Sequence, residues 1–252
     1  MLITRVMPCL LLQDAALVKT IQFKNPAYVG DPCNAIRIYN EKEVDELVLL
    51  DISTRRNNTG PAIDLIERLA SECFMPITYG GGIESIAIMR ELFKRGVEKI
   101  SLNTVAFENP HFVREASEEF GSQAIVASID VMKRSDGYEV FIDAGKRSTG
   151  LDPRVWAENL VELGAGEILL TSIDRDGTQI GYDIELLKHV CPYVPVPVIA
   201  CGGAGKVADF GDAVKLGGAS AVAAGSMVVY FGRNRAVLIN FPSKRELSRV
   251  LS

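Results

Sequence analysis

Eight short apolar runs punctuate the chain: 6–12 (VMPCLLL), 47–52 (LVLLDI), 76–79 (PITY), 99–102 (KISL), 124–130 (AIVASID), 167–173 (EILLTSI), 197–201 (PVIAC) and 221–224 (AVAA). Each is apolar at nearly every position rather than at every second one. That pattern predicts strands covered on both faces, as in a parallel sheet. Between the runs, apolar residues recur at helical spacing, which predicts helices near 61–72, 85–95, 110–119, 153–163, 183–191 and 206–216, with a last amphipathic helix over 243–251. Asp31-Pro32, Asn109-Pro110 and Asp152-Pro153 each set a side-chain acceptor before a proline suited to the first helical position, so each predicts a helix start. Eight strands with intervening helices predict an α/β fold, a (β/α)8 TIM barrel, with a doubly wound sheet as the competing layout.

An internal repeat favours the barrel. Thr78-Tyr79-Gly80-Gly81 matches Ala200-Cys201-Gly202-Gly203 at an offset of 122, and 96–104 matches 218–226 at the same offset. Glu46-Leu47 matches Glu167-Ile168 at 121, and the end of the first run near Leu11 matches Asp130 at 119. Two such halves, about 1–121 and 122–252, would close into one single-domain barrel spanning 1–252. No linker or low-complexity segment interrupts them, and both termini are expected to be ordered.

Composition narrows the function classes. With 252 residues, 48% of them apolar, the chain can bury a large core without disulfides or metal. A net charge of −5 gives no electrostatic footprint for nucleic acid or an anionic membrane. No apolar run approaches the roughly 20 residues of a membrane span, and MLITRVMPCLLLQD is too short an apolar stretch for a signal peptide. Five cysteines without a CxxC pair predict mostly buried thiols in a reducing cytoplasm. Only two histidines are present, which argues against a His-based metal site or a Ser-His-Asp triad. No cofactor is implied.

In such a barrel the strand C-termini form the ligand-facing mouth. Glycine-rich turns lie there: 80–82 after the third run and 202–205 after the seventh, with Asn103-Thr104 and Gly225-Ser226 after the fourth and eighth. Glycines let backbone N–H groups approach an anion, so the repeat predicts two phosphate sites on opposite sides of one mouth. Tight turns alone are the plainer reading. Asp130, Asp51, the segment 171–178 with Asp174 and Asp176, and Lys19 also fall at the mouth. A carboxylate ending an apolar strand suits general acid–base work, because burial raises its pKa. Asp174 and Asp176 could instead cap a turn. At the opposite end, Arg5, Glu46, Lys99 and Glu167 each start a run, which predicts a charged layer at the barrel floor. It would be either a static plug or one that moves to admit a small polar molecule.

These stretches resemble the cyclase subunit family of imidazole glycerol phosphate synthase over almost the whole chain. The resemblance rests on PCL (8–10), GDP (30–32), DELVLLDI (45–52), GGGI (80–83), NTVAFENP (103–110), GSQAIV (121–126), GAGEILLTSIDRDGT (164–178), GYD (181–183) and IACGGAGK (199–206). It implies a (β/α)8 barrel partnered by a HisH-like glutaminase subunit at its N-terminal face, whose ammonia crosses the barrel to a substrate carrying two phosphates. It implies that Arg5, Glu46, Lys99 and Glu167 form the gate for that ammonia. It places Gly81, Gly82, Asn103, Thr104, Asp176, Gly177, Gly203, Gly225, Ser226 and Lys19 among the phosphate- and ligand-binding residues, and Asp130 as one of two catalytic aspartates. Where the family's first strand ends Pro-Cys-Leu-Asp, this chain reads Pro8-Cys9-Leu10-Leu11, and Ala15 and Thr20 stand where glycines are usual. Leu11 cannot move a proton, so efficient cyclisation is not expected. The segments TIQFKNPAYVGDPCNAIRIYNEKEVDELVLLDI and YFGRNRAVLINFPSKREL resemble a branch associated with acetamidino modification of bacterial surface sugars. That implies a downstream sugar amidotransferase as a further partner. A genuine cyclase acting in histidine biosynthesis and a non-catalytic scaffold for the glutaminase remain the alternatives.

Overall fold

A computed structural model describes residues 4–57, 59–232 and 234–252, so the expected order of the extreme N-terminus lies outside the described residues. The strands are β1 (Arg5–Gln13), β2 (Ala16–Ile21), β3 (Lys24–Gly30), β4 (Leu47–Asp51), β5 (Ile77–Gly80), β6 (Lys99–Leu102), β7 (Ile125–Arg134), β8 (Gly137–Ile142), β9 (Arg147–Ser148), β10 (Glu167–Ser172), β11 (Val198–Cys201), β12 (Ala221–Ala224), β13 (Tyr230–Phe231) and β14 (Ala236–Val237). Eight of them close into a parallel cylinder in the order β1-β4-β5-β6-β7-β10-β11-β12, and β12 pairs back onto β1. The fold is a (β/α)8 TIM barrel, with β1 and β7 on opposite sides of the ring.

The apolar runs are explained by two cores sharing one sheet. Leu47, Leu49, Tyr79 and Ile100 pack outward against the helices, whereas Met7, Cys9, Val48, Val126, Leu169, Ile199, Ala221 and Ala223 form a separate inner cluster. Both faces are therefore buried, and no polar alternation survives. The helices are α1 (Pro32–Glu41), α2 (Thr54–Asn57), α3 (Ile63–Glu72), α4 (Ile86–Lys94), α5 (Thr104–Glu108), α6 (Pro110–Phe120), α7 (Pro153–Glu162), α8 (Ile184–Val190), α9 (Val207–Lys215), α10 (Ser226–Val229) and α11 (Lys244–Leu251). Asp31 accepts from Asn34 N, and Asp152 from Arg154 N and Val155 N, as their Asx-Pro pairs predict. Asn109 differs: it precedes Pro110 but makes no capping bond, because it also ends α5 and has φ −140° and ψ 80°.

Two further expectations need correction. Of the five free cysteines only Cys9 is fully buried; Cys201 ends β11, and Cys33, Cys73 and Cys191 sit at or near helix ends. The first and fifth strands also do not stop at the mouth. β1 runs on into the antiparallel hairpin β2–β3, and β7 into β8 and β9. Lys19 is thus a strand residue rather than a loop residue, and Asp130 lies within β7 where parallel pairing gives way to the β8 hairpin.

Candidate functional site

The barrel floor is a closed ring of charge. Arg5 meets Glu46 at 2.7 Å and Glu167 at 2.9 Å; Lys99 meets Glu46 at 2.9 Å and Glu167 at 3.1 Å. Two cations and two anions from β1, β6, β10 and the residue preceding β4 therefore satisfy one another across the axis. Glu46 is almost completely buried and takes a further hydrogen bond from Thr78 Oγ1 at 2.7 Å. Sequence reasoning missed Thr78, since a threonine inside an apolar run looks like an ordinary strand residue. Above the ring the inner apolar cluster lines the barrel interior, with Met7 and Leu169 wholly buried. Such a lining is apolar. A charged ammonium ion would lose far more hydration free energy there than a neutral small molecule.

At the mouth, Asp130 points inward from β7. Asn103 Nδ2 donates to its Oδ2 at 3.0 Å, and Thr171, its register partner on β10, also hydrogen-bonds to it. Surrounding protein removes water from this carboxyl, and the nearby Asp176 charge adds repulsion; together they push its pKa up to about 7. A carboxyl titrating there can both give and take a proton near neutrality. Across the barrel, Leu11 occupies the corresponding place on β1, flanked by Leu50 and Val18. It offers only hydrocarbon.

The glycine turns repeat in backbone geometry as well as in sequence. Asn103 (φ −122°, ψ −91°) and Gly225 (φ −105°, ψ −84°) precede the short helices α5 and α10 in nearly the same conformation. Gly81 (φ 120°) and Gly203 (φ 111°) match too, and a Cβ on either would strike a carbonyl oxygen, that of Asp51 or of Gly181. Gly82 (φ 67°) packs against the Thr54 side chain. The structure thus brings Gly81, Gly82, Asn103 and Thr104 together on one side, and Gly177, Gly203, Gly225 and Ser226 on the other. Thr104 Oγ1 accepts from Asp143 N at 3.1 Å. Asp51 turns back to take the Ser53 N–H and hydroxyl at 2.9 and 2.7 Å, which is a capping role. Asp174 accepts from Lys133 N at 2.7 Å.

Lys19 is buried beside Gly225 and donates to the Cys9 carbonyl at 2.6 Å. The β2–β3 hairpin that carries it bends across the mouth. Thr20 Oγ1 donates to Asp176 Oδ2 at 2.8 Å, Gln22 N to Asp176 O at 2.9 Å and Gln22 Nε2 to Asp174 O at 3.0 Å, while Phe23 packs on Gly145. Arg235, between β13 and β14, donates to Gly177 O at 3.1 Å and to Ser226 Oγ at 3.3 Å. From the sequence, Thr20 stands out only as replacing a usual glycine, and Arg235 only as part of the segment 230–247. Among the described residues no group of three or more His, Cys, Asp or Glu side chains could hold a metal, and no helix is long and apolar enough to cross a membrane.

Comparison with known proteins places this geometry in a family. The family model described as histidine biosynthesis protein matches residues 5–234. A Pseudomonas aeruginosa protein provisionally named imidazole glycerol phosphate synthase subunit hisF2 is 52% identical over 244 residues, covering 96% of this chain and 97% of its own. Imidazole glycerol phosphate synthase subunits HisF are 42% identical in Alkaliphilus metalliredigens (91% of this chain, 92% of that protein) and 45% identical in Caulobacter vibrioides (92% and 90%).

Proposed function

The chain belongs to the histidine biosynthesis protein family, as a homologue of the HisF subunit of imidazole glycerol phosphate synthase, and from that premise we propose that it is an ammonia-conducting barrel whose own cyclase chemistry is reduced. A HisH-like glutaminase docks at the floor and delivers ammonia. The ring of Arg5, Glu46, Lys99 and Glu167 is the gate, and its opening admits ammonia to the apolar axis above. Only the neutral form crosses, because the apolar inner cluster rejects a charged one. At the mouth ammonia passes to a separate sugar amidotransferase, where it displaces the oxygen of an acetamido group that this second enzyme has activated by phosphoryl or nucleotidyl transfer, giving an acetamidino group on a bacterial surface sugar and releasing the oxygen on the phosphate. The glycine turns at Gly81–Thr104 and Gly203–Ser226 are phosphate-binding loops.

The observation that carries this reading is Leu11 facing Asp130. The floor keeps all four charged groups, while the mouth keeps one proton-transfer group of two. General acid–base catalysis supplies about 10²–10⁴-fold per group, so a loss of at least that size is expected for cyclisation. The exposed apolar side chains of Ile21 in β2, Tyr28 in β3, Phe231 in β13 and Ile180 after β10 support an acceptor presented by another protein. A second reading, a full cyclase in histidine biosynthesis, is favoured by the names of the relatives and by the raised pKa of Asp130.

The purified pair with a co-expressed glutaminase decides between them. Under the first reading it turns over the imidazole-pathway substrate only at trace level. Turnover comparable to that of a histidine-pathway cyclase overturns it. Lys99→Ala breaks the ring and is expected to uncouple glutamine hydrolysis from nitrogen delivery. Coupling that survives the change would reduce the barrel to a scaffold.

A further inference from the structure

The cations at the two ends of the barrel are treated differently. At the floor, Arg5 and Lys99 each meet two carboxylates. At the mouth, Lys19 is buried and donates to the Cys9 carbonyl, and Arg235 bonds a carbonyl and a hydroxyl. Among the described residues neither forms an ion pair with a carboxylate. An anion that reaches a buried ammonium or a guanidinium gains charge-assisted hydrogen bonds, which are stronger than neutral ones. Both groups converge on the same loop: Lys19 lies against Gly225, and Arg235 on Gly177 and the next residue of the loop, Ser226.

Arg235 is also absent from the repeat that relates the two halves. In the first half, the stretch equivalent to β13–β14 is α6, so the symmetry-related loop at Thr104 has no such hairpin above it. The guanidinium is held in place by stacking on the Tyr230 ring, 4.7 Å from its centroid. Its backbone adopts φ 50°, a left-handed conformation in which a non-glycine residue is strained. A stacked guanidinium with spare donors is pre-set for two oxygens of one tetrahedral anion.

We propose that Arg235 is a specificity-determining residue of the mouth, which with Lys19 makes the loop of Gly177, Gly203, Gly225 and Ser226 a two-cation clamp for a single phosphoryl group. This rests on reading the glycine turns as phosphate loops. When the ligand enters, Arg235 exchanges the Gly177 carbonyl and the Ser226 hydroxyl for two phosphoryl oxygens, and the freed hydroxyl donates to the third. The ligand class is a phosphomonoester or diphosphate with its charged end on this side of the mouth.

The test is titration of the full chain with inorganic phosphate and, separately, inorganic pyrophosphate, followed by calorimetry and phosphorus NMR. Charge-assisted hydrogen bonds of this kind predict roughly 10- to 100-fold weaker binding for Arg235→Ala. Arg235→Lys should recover part of the loss, since it restores charge but not the fork. Arg235→Gln, which keeps hydrogen bonding without charge, should behave like the alanine variant and guards against a folding artefact. Ser226→Ala should weaken binding less than Arg235→Ala. If the unaltered protein binds phosphate and Arg235→Ala binds it equally well, the clamp is overturned while the loop reading stands. If the unaltered protein binds neither anion, both are overturned.

Discussion

Replacing Asp130 by asparagine should stabilise the protein, and by an amount that depends on pH. The carboxyl is displaced from 3.8 to about 7, first by loss of hydration and then by Asp176. Between those values the folded protein holds a proton that the unfolded chain has released. Folding stability therefore falls as pH rises from about 4 to about 7, and the penalty is complete above that range. About 3 units at roughly 1.4 kcal/mol each gives about 4 kcal/mol, and the carboxyl's residual contact with solvent brings this to about 2–3 kcal/mol. Asparagine has nearly the same shape, still accepts from Asn103 and carries no charge. Urea denaturation of both proteins should show nearly equal stability near pH 4, with the variant ahead by about 2–3 kcal/mol near pH 8. A gap of the same size at both pH values would refute the argument, because only titration makes it grow. If this carboxyl performs the proton transfer, any residual cyclase turnover should fall by about 10²-fold or more in the variant.

Two other substitutions probe the floor and the hairpin. Glu46→Gln leaves Arg5 and Lys99 sharing Glu167 alone, and should cost about 2–4 kcal/mol in urea denaturation; a change below about 0.5 kcal/mol would mean that water already satisfies the ring. Ala15 sits at φ 66° in the two-residue turn between β1 and β2. Ala15→Gly relieves roughly 1 kcal/mol of left-handed strain, part of which is offset by the greater freedom of glycine in the unfolded chain. A rise of about 1–2 °C in the calorimetric midpoint is expected, and a fall would show that the turn is not strained.

The barrel was legible because strands buried on both faces leave an uninterrupted apolar signature, and because the 122-residue repeat ties one half to the other. The floor charges were legible for the converse reason: Arg5, Glu46, Lys99 and Glu167 interrupt that signature at matching places. The β1–β2 and β2–β3 hairpins were not. The β1–β2 turn uses Asp14 and Ala15, and the β2–β3 turn Gln22 and Phe23, all with positive φ and none of them glycine or asparagine. The usual sign of such a turn, an asparagine or aspartate followed by glycine, is missing from both. The contacts of Thr20 and Arg235 were hidden for the same reason, since each depends on where a hairpin lands rather than on local sequence. Asp130 was identified by type, but its proximity to Asp176 is a product of the closed ring.

The β2–β3 hairpin changes what the rim of the barrel means for traffic. A molecule arriving along the axis meets a strap, fastened to the turn after β10 by the three hydrogen bonds of Thr20 and Gln22. At about 1 kcal/mol each, those fasteners keep the unstrapped form at roughly one molecule in a hundred. Under the proposed conduction of ammonia, escape of nitrogen to bulk solvent would be rationed accordingly, and a client that undoes the strap on arrival would receive its cargo only when it is present to use it.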